Sequence, residues 1–152
     1  TLFFSSLILF FFHVYNFILI TPYQYTYLNI FNGNKEQRYK KFENDYWGGS
    51  IKELVKKTNF NKSNVIMISS CGVNLNVVKK YMNKKGYKKL NFVNVNSAQY
   101  ILMTNRTISV NANPKNVSEI TNCFDKYPGK DVYSVKRNGQ ILSVIRELKK
   151  IN

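Results

Sequence analysis

"NVIMISSCGVNLNVVKKYMNKKG", residues 64–86, contains the change of pattern that decides the fold. Its first eight residues, 64–71, are a short apolar run without charge, the composition of a strand buried on both faces. The period then changes. Leu75, Val78, Tyr81 and Met82 recur at helical spacing, with lysines between them. Gly86 stands where a residue in the left-handed region ends a helix. A strand followed at once by an amphipathic helix is the building unit of a helix-covered sheet.

Reading outward from this unit adds further elements. Residues 90–96 alternate, and 98–105 form a second buried-strand candidate. Residues 113–124 open with Asn and then Pro at the first helical position, which predicts a helix. Residues 131–148 hold two β-rich runs joined by Asn138-Gly139, the strongest short hairpin signal. Upstream, Ser50 and Glu53 have capping-box spacing before a helix whose apolar face is Ile51, Leu54 and Val55. The expectation is an α/β (or α+β) domain with a small mixed sheet, in the order β-α-β-β-α-β-β, ending in a hairpin. No internal repeat or low-complexity linker divides it.

Charge is unevenly placed. Of the 152 residues, 23 are Lys or Arg and 8 are Asp or Glu, a formal charge of +15, yet residues 1–34 carry none of them. Such an excess points to an anionic partner, or to a lysine-rich solvated surface of the kind that AT-rich genomes encode. No arginine cluster or RNA-binding motif supports nucleic acid as that partner.

Residues 2–20 are an uncharged, largely apolar run that would span ~28 Å as a helix, against ~30 Å of bilayer hydrocarbon. This predicts a transmembrane helix over 1–21, read as the last of a longer protein because the chain opens on Thr1 in mid-run. Ser5, Ser6, His13 and Asn16 suit packing against other helices. A signal peptide would need a basic start and a small-residue cleavage site, and neither is present. The expected division is 1–21, an aromatic juxtamembrane segment over 22–50, and a soluble domain over 51–152.

The familiar catalytic constellations are missing from the sequence. "GKD" at 129–131 lacks the upstream glycine of a phosphate loop, and no histidine accompanies either cysteine. Cys71 and Cys123 allow one disulfide or two buried thiols, but no tetrahedral zinc site. Glu43 and Asp45, two apart, can share one side of an extended segment and bind a cation or sugar hydroxyls, or simply counter Arg38, Lys40 and Lys41. The aromatic strings are more distinctive. Tyr23, Tyr25 and Tyr27 alternate to one side with Gln24 to the other, and Asp45-Tyr46-Trp47 follows some twenty residues later. They fit an interfacial aromatic belt, or a carbohydrate surface where rings stack on sugar C–H faces and polar groups bind hydroxyls.

"PYQYTYLN" at 22–29, followed by "KFENDYWGGSIKEL" at 41–54, resembles the C-terminal region of bacterial multi-pass membrane glycosyltransferases. These are the GT-C class enzymes related to dolichyl- and polyprenyl-phosphate-sugar mannosyltransferases. The terminal hairpin is similar as well. Thr21 replaces a frequent His, Leu28 a Phe, and Gly33-Asn34 a pair of glycines. The resemblance implies a parent that moves a sugar from a polyprenyl-phosphate donor to a glycan or lipid acceptor, with or without a divalent metal. It implies a bacterial inner-membrane protein, in contact with the bilayer, whose C-terminal domain is periplasmic. The family's catalytic carboxylate lies in an early external loop with no counterpart here, so no catalytic residue and no cofactor is assigned to this chain. Tyr23, Gln24, Tyr25, Tyr27, Asn29, Asp45, Tyr46 and Trp47 become a collar or binding lip, and Cys71 and Cys123 could oxidise to a disulfide. The alternative is a membrane-anchored basic module that binds anionic lipid or a protein partner.

Overall fold

The computed structural model describes residues 2–24, 45, 47–60, 65–87, 89–109 and 120–149. After helix α1 (Leu2–Leu19) come α2 (Ile51–Lys57), β1 (Ile66–Cys71), α3 (Leu75–Lys84), β2 (Leu90–Phe92) and β3 (Tyr100–Thr104). Then follow β4 (Thr107–Ser109), β5 (Ile120–Asn122), α4 (Cys123–Lys126), β6 (Gly129–Arg137) and β7 (Gln140–Leu148). The fold is mixed α/β. Five strands form one sheet in the order β2-β1-β3-β7-β6, and β4 pairs with β5 in a second, two-stranded sheet.

The strand and helix of residues 64–86 form as their pattern requires. β1 lies between β2 and β3, parallel to both, so both its edges are paired, and Ile68 and Cys71 enter the cores on its two faces. The Asn74 side chain caps α3 by accepting the Asn76 amide at 2.8 Å. Val78 and Met82 are buried. β7 runs antiparallel to both β3 and β6. In the hairpin, Asn138 (φ 48°) and Gly139 (φ 76°) both take positive φ, the conformation that a two-residue turn needs.

Two cores cover the two faces of the sheet. On one, Ile51, Leu54 and Val55 of α2 and Val78 and Met82 of α3 pack on Ile66, Ile68, Leu102 and Ile145. On the other, Ile101, Met103 and Val144 meet Cys71, Cys123 and Phe124. β3 shows the pleat directly, since Ile101 and Met103 face one core and Leu102 the other. Each aliphatic side chain taken fully out of water contributes about 1.5–3 kcal/mol.

Three expectations need correction. Residues 120–122 are strand β5, not helix, and α4 begins at Cys123 with Asn122 as its cap. Pairing of Ile108 with Thr121 and of Ser109 with Ile120 outweighs local helix preference there; residues 110–119 lie outside the described ones. The order therefore gains two strands between β3 and α4. Third, among the described residues no helix is long and apolar enough to cross a membrane. α1 has 18 residues, a rise of ~27 Å, and the chain turns just after it, where the Thr21 amide donates to Ile18 O at 3.1 Å. Its side chains join neither core: Phe3, Phe4, Ile8, Phe10 and Phe11 are all more than half exposed, Ile20 just after it is buried, and Tyr23 is the first residue to enter a core.

Candidate functional site

β1 and β3 finish at the same end of the sheet, and the antiparallel register of β7 (Thr104 opposite Ser143) brings the hairpin turn there too. Arg137, the last residue before the turn, reaches three residues outside the hairpin. Its Nη2 lies 2.6 Å from Glu53 Oε2, its Nε donates to Thr21 O at 3.3 Å, and its guanidinium sits 5.3 Å from the centre of the Tyr23 ring. The Tyr23 hydroxyl donates to the same Glu53 oxygen at 2.8 Å. Asn138 Nδ2 donates to Asn16 Oδ1 of α1 at 3.2 Å. The end of α1 is thus fastened to both α2 and the hairpin.

Electrostatics make this cluster a lock. Burial pushes the Tyr23 hydroxyl up, and the Glu53 carboxylate pushes it further. Burial also raises Glu53, but the hydrogen bonds from Arg137 and Tyr23 outweigh it and leave the carboxyl below its ordinary value. Its hydrogen bond to Glu53 holds Arg137 above the usual guanidinium range. At neutral pH all three keep fixed protonation states, so the cluster positions groups and does not relay protons.

Asp45 organises the neighbouring polar seam. It is fully buried; Oδ1 accepts the Gly49 amide at 2.9 Å and Oδ2 the Ser50 amide at 3.2 Å. Ser50 Oγ lies 2.5 Å from Asp45 Oδ2 and 2.5 Å from Ser143 Oγ. With one hydroxyl proton, Ser50 donates to the carboxylate and accepts from Ser143. This replaces the expected capping box. Ser50 is helical (φ −73°, ψ −13°) and its side chain makes no cap, because Asp45 takes the amides ahead of α2 while Glu53 turns to Arg137. Beside it, the Asp45 amide donates to Asn105 Oδ1 at 3.4 Å. Thr104 Oγ1 donates to Gly72 O at 3.0 Å. Gly72 has φ +76°, and a Cβ on it would lie 2.5 Å from Thr104 Oγ1, so the close approach of β1 and β3 needs glycine. Next to it Cys71 and Cys123 form a disulfide, S–S 2.11 Å, across a separation of 52 residues. Closing a loop of that length limits the unfolded chain by about 4 kcal/mol.

Of the residues singled out in the sequence, Tyr23 and Asp45 meet in this region, one from each aromatic string. Gln24 is half-buried and its Nε2 donates to Thr21 Oγ1 at 2.9 Å. Trp47 is 82% exposed, so its ring is no part of the seam. Tyr25, Tyr27, Asn29 and Tyr46 lie outside the described residues. Ser143, Asn105 and Arg137 carry no motif; Glu53 stood out only as the partner in a capping box that does not form, and Arg137 only by its position beside the Asn-Gly turn.

The opposite end of the sheet, where β1 and β3 begin, is open. A cleft of about 1230 Å³ there is lined by Phe60, Tyr100, Lys126, Tyr127, Glu147 and Lys149, among others. The Phe60 and Tyr100 rings lie 4.9 Å apart, and burial, then Glu147, raise the Tyr100 hydroxyl. Among the described residues no group of three or more His, Cys, Asp or Glu could hold a metal ion. Comparison with known protein families, with curated proteins and with solved structures finds no match to this chain.

Proposed function

We propose that this chain is the C-terminal accessory domain of an integral-membrane glycosyltransferase that uses a polyprenyl-phosphate-linked sugar donor. The domain itself contributes no catalytic residue. One observation carries the reading: Tyr23 of the first resembling string joins the exit of the apolar helix to the α/β domain through Glu53, and Asp45 of the second orders the turn that leads into the helix bearing Glu53. The two strings together would serve as a collar, holding the domain at a fixed angle to the apolar helix. Trp47, exposed beside the collar, would meet the glycan or lipid acceptor, since an indole face suits sugar C–H groups.

The exposed apolar side chains of α1 favour contact with the bilayer or with other helices of the enzyme. The disulfide favours an oxidising compartment, which in this reading is the periplasmic side of a bacterial inner membrane. The catalytic carboxylate, and any divalent metal the enzyme uses, would belong to other parts of it. A second reading is a membrane-held basic module that binds anionic lipid or a protein partner; the charge of +15, all of it after residue 34, favours it.

A topology reporter fused after Asn152 in the full-length protein, together with a sugar-transfer assay on membranes, tests the first reading. The C-terminus is expected outside the cytoplasm, and Trp47→Ala should lower transfer about tenfold at unchanged expression, the value of one lost ring contact. A cytoplasmic C-terminus, or full activity in the variant, would leave the basic-module reading standing instead.

A further inference from the structure

We infer that the outward face of α2 and α3 is a docking surface for a phospholipid layer with anionic headgroups, an inference that rests on α1 holding the domain at a membrane. Lys52, Lys56 and Lys57 of α2 and Lys79, Lys80 and Lys84 of α3 are all exposed, and none is in an ion pair among the described residues. α3 contains no carboxylate. The one on α2, Glu53, is held by Arg137. Asp125 lies on α4 across the sheet, and Asp131 and Glu147 lie on the hairpin strands. Lys85 is set apart from the six, since its ammonium is spent on Val55 O at 3.1 Å and on Thr58 O.

A general surplus of lysine would scatter over the surface and mix with acids. Here six exposed lysines share the helical layer with a single carboxylate, Glu53, whereas the lysines of α4 and the hairpin strands lie among Asp125, Asp131 and Glu147. Lys52 with Lys56, and Lys80 with Lys84, are like-charged pairs four residues apart, which weaken a helix until counter-charge arrives. The layer also begins where the apolar helix ends, because Glu53 at the start of α2 is bound to Tyr23. Lysine stems can lie along an interface while their ammonium groups reach headgroups. Nucleic acid fits less well: the only ring on either helix, Tyr81, packs on the core and leaves none for base stacking.

The test measures partition of the full chain onto neutral phosphatidylcholine vesicles and onto vesicles doped with phosphatidylglycerol. Doping should raise partition about 100-fold at low salt, with the gain lost in high salt. Combined Lys52→Gln, Lys56→Gln, Lys80→Gln and Lys84→Gln should remove most of that gain. Combined Lys126→Gln, Lys130→Gln, Lys136→Gln and Lys149→Gln, the same charge change elsewhere, should keep it. Equal losses from both sets, no gain on doping, or tighter capture by an oligonucleotide than by doped vesicles would overturn the assignment. Binding to undoped vesicles reports on α1, whereas the gain on doping reports on the lysine face, so the two readings fail separately.

Discussion

At the end of the sheet where β1 and β3 finish, Asp45, Ser50, Thr104, Asn105, Gln140 and Ser143 are each 1% exposed or less. At the end where the same strands begin, Phe60, Tyr100 and Tyr127 rim an open cleft. The closed end is polar and cross-linked; the open end is aromatic, with Arg146 bonded to Tyr127 O beside it. Buried polar networks stabilise less than apolar packing of equal volume, but when satisfied they fix a unique geometry. The closed end also carries α1. The contrast indicates that buried polar side chains gather where the apolar helix exits, while the far end is held by Arg146, which bonds Asp131, Phe124 O and Tyr127 O at its rim.

Asp45→Ala should break that contrast most severely. It strips the acceptor from the Gly49 and Ser50 amides and from the Ser50 hydroxyl in a site closed to water. Stranded buried donors cost about 1–3 kcal/mol each; with partial relaxation the loss should be about 3 kcal/mol. Urea unfolding of the chain in non-ionic detergent, followed by near-UV circular dichroism, measures it. A loss under about 1 kcal/mol would mean that water replaces the carboxylate and that the closed end is not dry.

Glu53→Gln should have a smaller effect, and one that depends on pH. The folded-state pKa of Glu53 lies below its ordinary value of 4.5. Its stabilisation is therefore complete above that ordinary value and disappears as pH falls through the lower, folded one. The side chains of Arg137 and Glu53 are 24% and 21% exposed, so solvent screens the pair and the expected loss at neutral pH is about 1 kcal/mol. The two proteins should become equally stable as acid protonates Glu53. A difference that persists unchanged in acid would assign the effect to packing against Tyr23 instead of charge.

The same contrast explains what could be read in advance. α3, β1 and the hairpin were legible because their signals are local: an apolar period, a stop at Gly86, an Asn-Gly turn. The closed end was only half legible. Tyr23 and Asp45 stood out by the company they keep, but Asp45 is turned inward to the Gly49 and Ser50 amides ahead of α2 and is not an outward ligand group. What decided this lies far along the chain: Glu53 pairs with a residue 84 positions on, and Ser50 with one 93 positions on. β5 was missed for a similar reason, since its strand character comes from pairing with β4 and not from Asn113-Pro114. The disulfide stayed open because the pairing depends on the Cα atoms of Cys71 and Cys123 coming within 5.8 Å, which no spacing reveals.

The smallest expected effect lies at the open end. Lys126 lines the cleft with its ammonium 5.4 Å from the centre of the Tyr127 ring, a half-exposed contact worth about 0.5 kcal/mol. Lys126→Ala should therefore change stability by no more than that in the same urea experiment, and it should leave the acid dependence set by Glu53 untouched. The physical reason is that the rim of the cleft can readjust: solvent replaces the ammonium without stranding a buried donor, the opposite of what happens at Asp45. A loss of 2 kcal/mol or more, well above the usual range for surface changes, would show that the far end is braced as firmly as the near one. The contrast would then be one of chemistry alone, and the rigid support of α1 could not be credited to the closed end.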